Sequence, residues 1–131
     1  MTAVEYSKNG DHVQKTVGES TMPSYRPARF VRLSLDDGEI ANDGTDTETV
    51  TAEIVDGLDV LRGNDPSVLS ESGTLTLSID GAEVSVSIES GIGTTEVTTT
   101  KSAGATIEIE TIDYDGGPTE PDSATIEVIA A

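Results

Sequence analysis

The sequence predicts an all-β fold, a β-sandwich of about seven strands preceded by an extended N-terminal arm. Three observations carry this expectation. Beyond Phe30 apolar residues recur at every second position, the spacing of strands with one face turned inward. Turn residues (Asp-Asp-Gly, Asp-Gly, Gly-Gly-Pro) separate these runs at short intervals. No stretch shows the 3.6-residue period of an amphipathic helix, and short strands between regular turns point to a sandwich.

Taken in order, Phe30 to Leu35 places Val31, Leu33 and Leu35 on one face and ends at Asp36-Asp37-Gly38. Thr49 to Val55 turns Val50, Ala52 and Ile54 inward and leaves Thr51 and Glu53 outward. Between Gly57 and Asn64 the alternation is poor, so Leu58, Val60 and Leu61 fit either a short crossing strand or a covered loop. The clearest element is a hairpin. Asp80-Gly81 suits a two-residue type I′ turn, which sets Ile79 opposite Ala82 and gives residues 75, 77, 79, 82, 84, 86 and 88 a common apolar face. Thr94 to Thr100 follows with Val97 inward, and then Ala105 to Ile112, where Ile107 and Ile109 alternate with Glu108 and Glu110. Ile112 and Tyr114 fall in the opposite phase, which predicts a bulge near Glu110 or Thr111. After Gly116-Gly117-Pro118, Ala124, Ile126, Val128 and Ala130 form a closing strand, and Gly91-Ile92-Gly93 reads as a turn.

A length of 131 residues accommodates one domain. With one Phe, three Tyr and no Trp, the interior must be built from Val, Ile, Leu and Ala. The absence of cysteine excludes disulfides and thiolate sites. The formal charge is −18, from 25 acidic and 7 basic residues. Such self-repulsion disfavours a compact state at low salt and is relieved when the screening length falls to about 3 Å at 1 M. Scarce Lys beside abundant Asp, Glu and Thr gives the expectation of a halophilic source. No run of apolar residues reaches the length of a membrane span or forms a secretory signal, so no membrane association is expected.

Charge divides the chain. Residues 1–32 carry Lys8, Lys15, Arg26, Arg29 and Arg32 against Glu5, Asp11 and Glu19, a balance of +2, while the remainder stands at −20. Tyr6, Tyr25 and Phe30, three of the four aromatics, lie in the first 30 residues. Residues 1–29 show no sustained period, and Pro23 and Pro27 bar a helix through the second half. Two regions follow: 1–29, an extended attachment arm, and 30–131, the sandwich. Tyr and Arg are enriched where protein surfaces grip one another, so Tyr6, Tyr25, Arg26 and Arg29 are the expected partner-binding residues, set against an acidic neighbour or a second copy of the body.

Ile40 to Asp56, IANDGTDTETVTAEIVD, resembles the opening of bacterial immunoglobulin-like domains of the invasin and intimin type. Gly93 to Thr111, GTTEVTTTKSAGATIEIET, is similar to their ending. The likeness spans roughly Leu33 to the C-terminus. It departs at Asp56 to Gly63, where the usual middle motif is replaced, and at Asp113 to Ala131, which adds a strand. The resemblance implies an immunoglobulin-like sandwich acting as a stalk, spacer or adhesive module, with no catalytic residues to carry over. An outward-facing module lacking an export signal is reconciled by assembly inside the cell and release with a particle. The expectation is therefore a virion structural protein, a capsid decoration or tail-associated component of a tailed virus infecting a halophilic (haloarchaeal) host. The alternative is a host-surface or carbohydrate-binding adhesive module.

Other chemistry finds little support. His12 is the only histidine, so multi-His metal sites are excluded and a Ser-His-Asp triad would hang on one residue of the arm. Asp36-Asp37-Gly38-Glu39 with Asp43 and Asp46 offers clustered oxygens for Ca²⁺, but aligning Asp43-Gly44 with the turn of an EF-hand puts Glu39 and Ala41 where Asp or Asn belongs, so these are read as turn carboxylates. Carboxylate pairs for glycoside cleavage lack aromatics to stack a sugar. A body at −20 repels phosphate, which opposes nucleic-acid binding. The expectation is a protein with no enzymatic activity and no cofactor, whose partners are virion proteins and copies of itself.

Overall fold

The computed structural model describes residues 4–17 and 24–131. Its regular structure is nearly all β, with 61% of residues in strands and 4% in helix. The strands are β1 (Val4–Asn9), β2 (His12–Val17), β3 (Ser24–Pro27), β4 (Arg29–Leu35), β5 (Glu39–Ala41), β6 (Glu48–Asp56), β7 (Gly73–Ile79), β8 (Ala82–Ile88), β9 (Ile92–Val97), β10 (Thr106–Tyr114), β11 (Thr119–Glu120) and β12 (Ser123–Ile129). One short helix, α1 (Gly57–Leu61), follows β6.

Two sheets face one another. One has the order β5-β12-β10-β7-β8 and the other β11-β4-β6-β9. Their inward rows form one core of Val31, Ile40, Val50, Ala52, Ile54, Leu75, Leu77, Val86, Ile88, Val97, Ile107, Ile109, Tyr114, Ile126 and Val128. Ile40, Ile54, Leu75, Leu77, Ile109 and Ile126 are all 0% exposed, and each aliphatic side chain so buried contributes about 1.5–3 kcal/mol. The core is therefore aliphatic, and Tyr114 is its one aromatic member.

The period-two reading places the long strands. The β7–β8 hairpin pairs Ile79 with Ala82, and Asp80 and Gly81 take φ of 54° and 88°, the left-handed pair a type I′ turn requires. The phase switch in β10 is a real irregularity: its register against β7 slips between Thr111 and Asp113, which leaves Ile112 exposed and returns Tyr114 to the core. Other elements differ from expectation. The sandwich sheets hold nine strands, because β5 and β11 are too short to show an alternation and are defined by parallel partners, β12 and β4. The undecided segment after Asp56 is a helix. Asp56 caps it by accepting from the Leu58 amide, and five residues are too few to display a helical period. Ala130, expected inward, lies beyond the end of β12 and is exposed.

The extended backbone expected for residues 1–29 takes the form of a three-stranded antiparallel sheet, β1-β2-β3. Residues 1–3 and 18–23 of that segment, with Pro23 among them, lie outside the described residues. Gly10-Asp11 turns β1 into β2, and β3 runs through Ala28 into β4, so the meander and the four-stranded sheet share one nearly continuous ribbon.

Candidate attachment surface

The meander meets the sandwich at one end, and polar contacts tie it there. Ala28, only 2% exposed, donates its amide to the Asp11 carbonyl and accepts from the Gly57 amide, which ties the β1–β2 turn and the start of α1 to the same residue. Arg29 enters the first position of β4 with its side chain 19% exposed. Its Nε donates to both Glu71 carboxylate oxygens at 2.9 and 3.1 Å, and Nη1 donates to Asp11 Oδ1 at 2.7 Å. Glu71 Oε1 also accepts from the Tyr114 hydroxyl at 2.9 Å. Glu71 thus sits between a guanidinium and a phenol, and Arg29 between two carboxylates, so the desolvated charges are matched.

The charges register this arrangement. The hydrogen bond from Arg29 holds the Asp11 carboxyl below its ordinary range, and Asp11 in turn raises Arg29, against burial, which lowers it. Burial first and Glu71 second push the Tyr114 hydroxyl up to about 12. Two further contacts secure the meander. Arg26 pairs with Glu120 at 3.1 Å and stacks over Phe30, 5.5 Å from the ring centroid. Arg62 Nη2 donates to the Tyr6 carbonyl at 2.7 Å, closing part of the free edge of β1.

The four residues singled out from the sequence are therefore divided. Arg29 is a clamp within the chain, and Arg26 is engaged with Glu120. In the cross-strand register Tyr6 and Arg26 share the face of the meander that carries Val13, which is 0% exposed, and Tyr6 itself is half-buried. Tyr25 lies on the other face, opposite Gln14, and is 55% exposed. Lys8 and Lys15 form no ion pair among the described residues. What the meander offers to a partner is thus divided between its faces: the exposed Tyr25 on one, and the exposed Lys8 and Val17 with the half-buried Lys15 on the face of Val13. His12 is exposed at the base of β2, opposite Pro27.

The acidic run at 36–48 is built into turns. Glu48 is 1% exposed and accepts from the amides of Asp36, Asp37 and Gly38, the last at 2.7 Å. Burial raises its pKa, reinforced by the neighbouring Asp37, although the amides oppose the shift. Asp37 is lowered, chiefly by the Glu39 amide. Asp43 accepts from the amides of Thr45 and Asp46, which lowers it, and Asp46 accepts from Ala41. Among the described residues no group of three or more His, Asp or Glu is arranged to hold a metal. Sequence reasoning missed both Glu71 and Glu48. Nothing local marks Glu71, whereas Glu48 shares the inward phase of Val50, Ala52 and Ile54, a signal for a buried carboxylate. No family model matches the chain, and no curated protein matches it.

Proposed function

We propose that this chain is a non-enzymatic structural module, attached through its N-terminal meander and projecting a rigid acidic sandwich, and that the assembly it decorates is a virion, at the capsid or the tail. The observation that carries the reading is the asymmetry between the two parts. The meander is a small sheet held to one end of the sandwich by Arg29, and it leaves Tyr25 exposed on one face and Lys8 and Val17 exposed on the other. The body bears nearly all the negative charge, and among the described residues its carboxylates near the loops serve backbone amides.

The immunoglobulin-like form of the sandwich belongs to the same proposal. Its support is the strand order: β4 leads into β5 on the opposite sheet, β5 runs parallel to β12, and β4 is followed across its sheet by β6 and then β9, while β12 is followed by β10, β7 and β8. The resemblance of residues 40–56 and 93–111 to stalk and adhesive modules points to a spacer. High net charge in a compact body fits concentrated salt, and the melting temperature is expected to rise from low to multimolar KCl.

The test is incorporation. A chain beginning at Arg29 should keep the strand-rich circular dichroism of the full chain and fail to co-purify with particles assembled in its presence, and Tyr25→Ser with Val17→Ser should reduce incorporation without lowering the melting temperature. Equal incorporation of the full-length and shortened chains would overturn attachment through the meander.

A further inference from the structure

We propose that β8 is a pairing edge for a second copy of this chain, the two strands running antiparallel about a two-fold axis at Val84 and joining two five-stranded sheets into one. The backbone of β8 points the right groups outward. Asp80 N–H donates to the Glu108 carbonyl and Asp115 N–H to the Thr74 carbonyl, so the even-numbered positions of β7 face β10 and the odd ones face β8. With Ile79 opposite Ala82, the even positions of β8 are bonded to β7 and the odd ones, Glu83, Ser85 and Ser87, face away from the sheet. Ser87 is covered in part, because β9 crosses so close that a Cβ on Gly93 would collide with its carbonyl. Glu83 and Ser85 remain, and among the described residues nothing bonds their amides or carbonyls.

Other edges are blunted in recognisable ways. β5 has three residues and β11 two, β3 ends at Pro27, and Arg62 occupies the Tyr6 carbonyl on β1. The edge of β9 leaves Thr94 and Glu96, but its central inward residue is Thr95. On β8 the central inward residue is Val84, half-buried at the rim of the core, and a two-fold at that position sets it against its own copy, where side chains approach most closely. The same axis places Glu83, the one charge on the strand, opposite Ser85 of the second copy and brings both sets of free backbone groups into register. Shifting the axis to Glu83 would oppose like charges, so the strand is self-complementary in the valine-centred register. Concentrated salt removes the long-range repulsion between two bodies of −18.

Sedimentation velocity in multimolar KCl tests this with the full chain, Ser85→Pro and Thr94→Pro. Proline at 85 removes an amide that makes no ladder bond, so the sheet is kept while the new pairing is blocked. The expected result is a dimer for the wild type and for Thr94→Pro, and loss of the dimer for Ser85→Pro with an unchanged circular dichroism spectrum. Should Ser85→Pro fail to fold, amide exchange on the unmodified chain decides: the Glu83 and Ser85 amides should gain protection as concentration rises, and those of Thr94 and Glu96 should not. A wild type that stays monomeric, a dimer that survives Ser85→Pro, or protection confined to β9 would each overturn the proposal. None of these outcomes depends on attachment through the meander.

Discussion

The two ends of β4 each hold a carboxylate, by opposite means. Where β4 begins, beside the meander, Glu71 is matched by the Arg29 guanidinium and the Tyr114 hydroxyl. Where β4 ends, Glu48 pairs with no cation among the described residues and is held by three successive amides of the turn into β5. The first arrangement joins three separate segments of the chain and carries compensating charge. The second closes one local turn and leaves a carboxylate that burial makes easier to protonate. One end is an intersegment clamp, the other a turn, and they should respond differently to mutation and pH.

The largest effect is expected from Arg29→Ala, which strips the half-buried Glu71 and the exposed Asp11 of their partner. A cost of about 2 kcal/mol in urea unfolding is expected, below the range for fully buried pairs because both side chains retain some solvent contact. Amide exchange in residues 4–17 should quicken with it, and a change confined to global stability would show that the meander is held by other means. Glu48→Ala should cost a similar or slightly smaller amount, about 1–2 kcal/mol, because three buried amides lose their acceptor.

Glu48→Gln sharpens the comparison by pH. The folded-state pKa of Glu48 lies above its ordinary value, so the native state favours the protonated acid. Its contribution is present in full below about 4.3 and is lost as pH rises through the shifted value. The stability of the wild type relative to Glu48→Gln should therefore fall across that window, and a difference that grew with pH would mean the amides outweigh burial. Tyr114→Phe, at the other end, should cost about 1 kcal/mol. Its pH signature has the same sign in another window: with the hydroxyl pushed up to about 12, the wild type should lose its advantage over the phenylalanine variant as pH climbs from about 10 towards that value. The smallest effect is expected for Arg26→Ala, an exposed pair worth about 0.5 kcal/mol or less, read by the same urea titration.

These two ends also mark how far the sequence could be read. The β7–β8 hairpin was legible because every inward position from Leu75 to Ile88 is apolar and Asp80-Gly81 fixes the register. The bulge in β10 was legible from the conflict between Ile109 and Tyr114, and it falls at Ile112, next to the expected place. The clamp was not, because Arg29, Glu71 and Tyr114 are far apart in sequence and no local pattern links a charge to a distant partner. The meander offered a weak signal, Asn9-Gly10 before a run containing Val13 and Val17, but with Val13 alone fully buried among the described residues its alternation is too sparse to stand out. The helix after Asp56 and the parallel strands β5 and β11 escape for a related reason, since each is shorter than the period that would reveal it.

The ribbon that passes from β3 through Ala28 into β4 has a mechanical consequence. The meander adjoins the end of the sandwich where Arg29 faces Asp56, while the last strand finishes beside Ala41, at the far end. Tension between the two would pull β4 along its own length against β6, where seven residue pairs from Arg29–Asp56 to Leu35–Val50 share the load together. A domain gripped in this direction must shear a whole ladder before it yields, whereas one pulled sideways would unzip pair by pair.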